Sequence, residues 1–153
     1  MNTTADQQLV KRLNRSALLR LLRAQPGLSR ARLATASGLT KSTVSLLVRE
    51  LLDDRWLAEA GTQAASGPGR PSTPLQINVA ARALIGVDIA VECVRVVCVS
   101  LLGEVLHADE RPLRSLQPLP VCTQTARLVA QASRVLAARG LQLAGIGVGL
   151  PGA

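Results

Sequence analysis

Ala34, Gly38 and Val44 lie four and then six residues apart within the stretch Ser29 to Leu51, and this spacing restricts the fold more than any other feature of the chain. Two helices crossing at about 90 to 120° need a small residue where the backbones approach, a glycine free to take positive φ in the turn, and an apolar anchor on the second helix. All three stand here in helix-turn-helix register. Ser29 is placed to cap a short helix over Arg30 to Ser37, Gly38 breaks the pattern, and Thr40 is placed to cap a further helix from Lys41 to about Asp54. Val44, Leu47, Val48 and Leu51 form its buried stripe, which leaves Lys41, Ser42, Thr43, Ser45 and Arg49 on or near the open side. Those residue types, with Thr40 at the cap, suit phosphate and base-edge contacts in a major groove. The competing reading is a plain helical hairpin with a solvated face.

The flanking sequence weighs against the plain hairpin. Leu9, Leu13, Ala17 and Leu21 recur every four residues among Lys11, Arg12, Arg15, Arg20 and Arg23, and read as the apolar stripe of a basic amphipathic helix that stops before Pro26-Gly27. After the helix pair, Trp56 to Glu59 and Pro74 to Ile77 read as two short strands around a glycine-rich tip, which makes a winged helix. Gly61 to Pro74 has the Gly, Ser, Pro and Thr content of a mobile loop or linker. Within it, Gly67-Pro68-Gly69-Arg70-Pro71 is suited to placing the Arg70 guanidinium in a narrow minor groove, or else serves as a connector. Trp56, the one aromatic residue, is expected to pack as core beneath the wing.

Charge is distributed unevenly. Residues 1 to 82 hold 12 Lys or Arg against 5 Asp or Glu, or +7, whereas residues 83 to 153 hold 6 against 5, or +1. A one-sided excess of this kind favours nucleic acid as the partner of the first half. Three cysteines without a CxxC pair and a single histidine, His107, support neither a disulfide framework nor a metal site. Cys93 and Cys98 are five apart in an expected strand and therefore point to opposite faces. A reducing cytoplasm, with no role for a membrane, fits this composition and the polar N-terminus.

The second half changes period. Ala83 to Ala90, Cys93 to Leu102 and Glu104 to Arg111 read as a three-strand meander, a helix carrying Val121, Leu128, Ala132, Val135 and Leu136 follows Pro118 and ends at Gly140, and Leu143 to Val148 reads as a fourth strand. The expected division is a DNA-binding domain over 1–78 and a second domain over 83–153.

Several motifs, taken in order, resemble the ROK family of sugar-responsive repressors and sugar kinases. They are Leu13-Asn14-Arg15, Leu28-Ser29-Arg30-Ala31, Ser37 through Ser45, Gly69-Arg70-Pro71, Ile85-Gly86-Val87-Asp88, and Ile146 through Gly152. The resemblance implies an α+β chain, an N-terminal winged helix-turn-helix followed by a partial actin-like, ribonuclease-H-like α/β domain. It implies a transcriptional regulator, most simply a repressor of carbohydrate-related genes, with double-stranded DNA as partner. A sugar effector and homo-oligomeric assembly are expected only of a full-length form, because the chain ends at Ala153, before the family's sugar contacts, catalytic aspartate and zinc motif. That ending is expected to mark a truncated product or a fragment.

Family kinases have Asp-x-Gly-Gly-Thr at the first hairpin of this domain; here Asp88 is followed by Ile89, Ala90, Val91 and Glu92. Side chains replace the phosphate-cradling glycines, and Glu92 repels a polyphosphate. No catalytic, cofactor-binding or metal residue is therefore assigned, and Asp88 is expected to be a hydrogen-bonded turn carboxylate. A second departure is Leu46, where relatives often carry Arg, so that this position either touches a thymine methyl or faces solvent. The alternatives to a regulator are a ROK sugar kinase with an added N-terminal domain and a fragment acting only as an interaction module.

Overall fold

Local capping chemistry sets the first helices. In the computed structural model, which describes residues 3–61 and 73–150, α1 (Thr3–Ala24) is followed by α2 (Arg30–Ser37) and α3 (Lys41–Asp53). Gly27 after α1 and Gly38 after α2 both take positive φ, 87° and 71°. A Cβ at Gly38 would meet nothing within 4 Å, so the requirement there is conformational rather than steric. Strands β1 (Leu57–Glu59) and β2 (Leu75–Ile77) pair antiparallel, Leu57 opposite Ile77, and the Ala60 amide donates to the Pro74 carbonyl at 2.9 Å to lengthen the ladder. These elements form one compact unit, Met1–Asn78.

The core of this unit draws Leu18 and Leu22 from α1, Leu33 and Ala34 from α2, Val44, Leu47, Val48 and Leu51 from α3, and Leu57 and Leu75 from the strands. Half-buried Trp56 packs against it. The α1 stripe corrects the sequence reading: Leu9 and Leu13 are 54% and 56% exposed, whereas Leu18 and Leu22 are fully buried. A row of residues four apart drifts about 40° per step around a helix of 3.6 residues per turn, so Leu9 to Leu21 cannot all face one core. Only the C-terminal half of α1 meets the rest of the unit closely enough to be covered.

The second unit, Val79–Ala153, contains β3 (Arg82–Ile89), β4 (Cys93–Ser100), β5 (Val105–Pro112), α4 (Pro118–Ala138) and β6 (Gln142–Gly149). Its sheet runs β5-β4-β3-β6, antiparallel through the meander and parallel between β3 and β6. Parallel pairing requires a crossover, and α4 supplies it. Ile85 opposite Cys98 and Val87 opposite Val96 share the covered face, where Leu128, Ala132 and Leu136 close the core. On the other face Leu84, Gly86 and Asp88 stand beside Gly145, Gly147 and Gly149 of β6. A Cβ on Gly86 would lie 3.1 Å from Val97 Cγ1, so a side chain there would require Val97 to give way by a few tenths of an ångström.

Cys93 and Cys98 are buried and free, and Cys122 is exposed. Burial pushes the Cys98 thiol up, against a smaller opposing pull from Arg139. A protonated thiol in an apolar core is a packing residue, not a nucleophile. Among the described residues, no helix is long and apolar enough to cross a membrane.

Candidate nucleic-acid interface

Two capping hydroxyls build the N-terminal ends of α2 and α3. Ser29 Oγ accepts from the Arg32 amide at 3.4 Å, and Thr40 Oγ1 accepts from the Thr43 amide at 3.2 Å. Thr40 Oγ1 also lies 3.0 Å from Ser42 Oγ and 2.8 Å from Thr43 Oγ1, which makes a hydroxyl cluster at the start of α3. The cluster, the positive end of the helix dipole and the lack of any acidic residue in the first turn leave this end suited to an anion. Buried Ala34 and Val44 and left-handed Gly38 fill the roles that the spacing assigned to them.

Of the residues singled out by sequence, Thr40, Lys41, Ser42, Ser45 and Arg49 are exposed, while Thr43 is partly covered and engaged with Thr40. Lys41, Ser45 and Arg49 follow at intervals of four and form one exposed stripe beside the buried one. Leu46 is 54% exposed beside them. Arg70 and the rest of the wing tip, 62–72, lie outside the described residues, as do Pro151 and Gly152 of the last motif.

The structure adds an electrostatic sorting that the sequence did not reveal. Lys11 Nζ is 2.7 Å from Glu50 Oε1, Arg15 is 3.5 Å from Glu50 and also pairs with Asp54, and Arg30 is 3.0 Å from Glu59. Carboxylates of the unit are thus held by cations that bridge α1 to α3 and α2 to the wing. Lys41 and Arg49 have no ion pair among the described residues. Their charge is available to a partner, and part of the basic character counted in α1 is not. Only the i,i+3 and i,i+4 pairs within one helix are visible in a sequence, and these pairs span 29 to 39 residues.

The hairpin of the second unit departs from a phosphate cradle. Ala90 N donates to Cys93 O at 2.9 Å and Leu113 N to Glu92 O at 2.8 Å, which closes the turn. Among the described non-glycine residues only Arg55 has positive φ, so Ala90, Val91 and Glu92 avoid the left-handed conformations that glycines would supply. Asp88 corrects the expectation of a turn carboxylate. It lies within β3 and pairs across the sheet with Arg95 at 3.4 Å, while Arg95 bonds Glu110 on its other side. Direct cross-strand register, Asp88 opposite Arg95 opposite Glu110, makes this row.

Comparison with known proteins adds to this geometry. Residues 11–57 match the winged helix-turn-helix DNA-binding family. A xylose repressor of Bacillus subtilis is 34% identical over 114 residues, 74% of this chain and 29% of that protein. A putative xylose repressor of Caldicellulosiruptor is 27% identical over 154 residues, 96% of this chain and 37% of that protein. The chain therefore spans about a third of the length of these relatives. A crystal structure of a ROK family transcriptional regulator, homologue of the E. coli MLC protein, superposes with a TM-score of 0.78 over 94% of this chain and 36% of that one, at 23% identity, and so shares its fold. The chain thus carries a winged helix-turn-helix of the DNA-binding family, is similar to xylose repressors beyond that domain, and shares the fold of a ROK family regulator.

Proposed function

We propose that the chain acts as a sequence-specific DNA-binding repressor of sugar-related genes, with residues 1–78 as the DNA-binding domain and residues 83–153 as part of a sugar-kinase-like domain. The observation that carries this reading is the open face of α3, where Lys41, Ser42, Ser45 and Arg49 face solvent and neither cation is paired with a carboxylate among the described residues. Residues at the N-terminal end of a recognition helix reach base edges, and flanking cations hold phosphates. Repression, as opposed to activation, is supported by the xylose repressors among the relatives. A sugar effector, homo-oligomeric assembly and action in the cytoplasm are part of the same proposal.

Titration of the chain against a labelled duplex from the promoter of its own gene, beside a scrambled duplex of equal length, tests the reading. The promoter duplex is expected to bind at least about 10-fold more tightly at low salt, because specific contacts add to a common electrostatic term. Equal affinity for both, or none, would sink it.

The same reading holds that no sugar is phosphorylated. Ala90, Val91 and Glu92 supply neither glycine backbone nor hydroxyl to a polyphosphate, and Asp88 is engaged with Arg95. Calorimetry with ATP and magnesium is expected to give no saturable heat. Binding in the micromolar range would restore the kinase reading.

A further inference from the structure

Between residues 111 and 150 the chain carries five arginines, Arg111, Arg114, Arg127, Arg134 and Arg139, and no aspartate or glutamate. The near-neutral sum of the second unit therefore conceals a separation, with the acids on β3, β5 and the two turns of the meander and the excess of guanidinium groups from the end of β5 through α4 to its C-terminal cap. Three of these arginines, Arg111, Arg114 and Arg127, line one cleft of about 740 Å³ between the end of β5 and α4. We infer that this cleft is a binding site for a small organic phosphate monoester.

Fixed geometry supports a site rather than a chance gathering of long side chains. Gln124 Nε2 donates to Pro112 O at 3.0 Å, which ties α4 to the end of β5, and Leu113 N donates to Glu92 O at 2.8 Å, which anchors the backbone next to Arg114. Arg111 is braced by Asp109 at 2.7 Å and by the Glu110 carbonyl at 3.0 Å. Arg114 and Arg127 have no carboxylate among the described residues. The start of α4 cannot bind the anion by itself, since Pro118 and Pro120 lack N–H groups and Gln117 makes no side-chain cap. Recognition must therefore come from the guanidinium groups, whose planar forks match phosphate oxygens.

The remaining lining selects an organic body. Thr123 Oγ1 spends its hydrogen on Leu119 O at 2.9 Å, so it faces a ligand as an acceptor, suited to a hydroxyl and not to an anion. Gln131 offers both donor and acceptor, and Leu119 and Leu128 add apolar surface. The volume falls within the range of about 300 to 1,000 Å³ usual for small-molecule pockets and far exceeds one phosphate ion. The site lies wholly in the second unit and stands whether or not the first unit reads DNA.

Isothermal titration of the full chain at low salt tests the site, with glucose 6-phosphate, glucose and inorganic phosphate as probes. Glucose 6-phosphate is expected to bind with Kd of about 1 mM or tighter, and glucose not to bind. Inorganic phosphate should bind at least about 10-fold more weakly than the ester, since it leaves the apolar and hydroxyl-accepting surface unused. The double variant Arg114→Gln/Arg127→Gln should lose at least about 10-fold in affinity for the ester, as two charge-assisted contacts go. Arg134→Gln, on the same helix but outside the cleft, should bind like the parent. The double Lys version, which keeps the charge, should recover part of the loss and separates lost binding from lost folding. The proposal is overturned by absent binding, by equal affinity for ester and inorganic phosphate, or by undiminished binding in the Gln double variant. Loss of DNA affinity in that variant, without binding of the ester, would assign the guanidinium groups to a nucleic-acid backbone and overturn it equally.

Discussion

Leu18→Ala is expected to destabilise the N-terminal unit by about 2–5 kcal/mol, and Leu9→Ala to change it by no more than about 0.5 kcal/mol. Both are leucines on α1, and the sequence pattern favours Leu9. Leu18 is fully buried among leucines of α2, α3 and the wing, so truncation leaves a cavity that close-packed neighbours fill only in part. Leu9 is 54% exposed and leaves no cavity. Trp56 is the sole aromatic residue and packs on this core, so its fluorescence in a urea titration reports the first unit without background from the second. An unchanged denaturant slope with a lower midpoint would identify the loss as one of stability. Comparable losses from the two variants would mean that α1 is covered along its whole length, contrary to the structure.

This contrast marks where the sequence is legible. The caps at Ser29 and Thr40, the left-handed Gly38 and the stripe Val44, Leu47, Val48, Leu51 depend on neighbours within a few residues, and pattern alone locates them. The meander is legible for a similar reason, because short turns leave antiparallel pairing as the simple outcome. What pattern alone does not show depends on distant partners. The covered end of α1 is decided by contacts with α2 and β2, and the pairing of Lys11 and Arg15 with Glu50 and Asp54 by how α1 meets α3. A charge sum by segment does not distinguish cations occupied within the protein, such as Lys11 and Arg15, from those open to DNA. The same averaging conceals the arginine cleft, since acids elsewhere on the meander cancel the arginines at the end of β5 and along α4 in the sum but not in space. Asp88 lies close to a turn in sequence, whereas its partner Arg95 is fixed by strand register.

For DNA, Lys41→Ala and Arg70→Ala are expected to fail in different ways. Lys41 stands exposed at the first position of α3, beside the capping hydroxyls, where a phosphate would meet both the helix dipole and the ammonium group. A contact of that kind is indifferent to sequence. Its loss should lower affinity about equally on every duplex and reduce the log-log salt slope by about 0.9. Arg49 lies two turns further along the same stripe, and if it reads a base its loss should cost about 1–3 kcal/mol on the cognate duplex and relax preference at one position. Arg70 belongs to the segment joining β1 and β2, and its proposed place is a minor groove, where readout separates A·T from G·C and follows groove width. Arg70→Ala should therefore weaken binding most on operators with A·T-rich flanks, and G·C flanks should erase the difference. Because a single module of this size buries only about 600–1,000 Å² on DNA, affinity is expected to be modest and the titrations belong at low salt. If Arg70→Ala costs nothing on A·T-flanked duplexes while Lys41→Ala lowers the slope, the wing tip is a connector and the reading rests on α3 alone. If Lys41→Ala and Arg49→Ala both bind like the parent, DNA does not lie along α3, and the helix-turn-helix has another use in this chain.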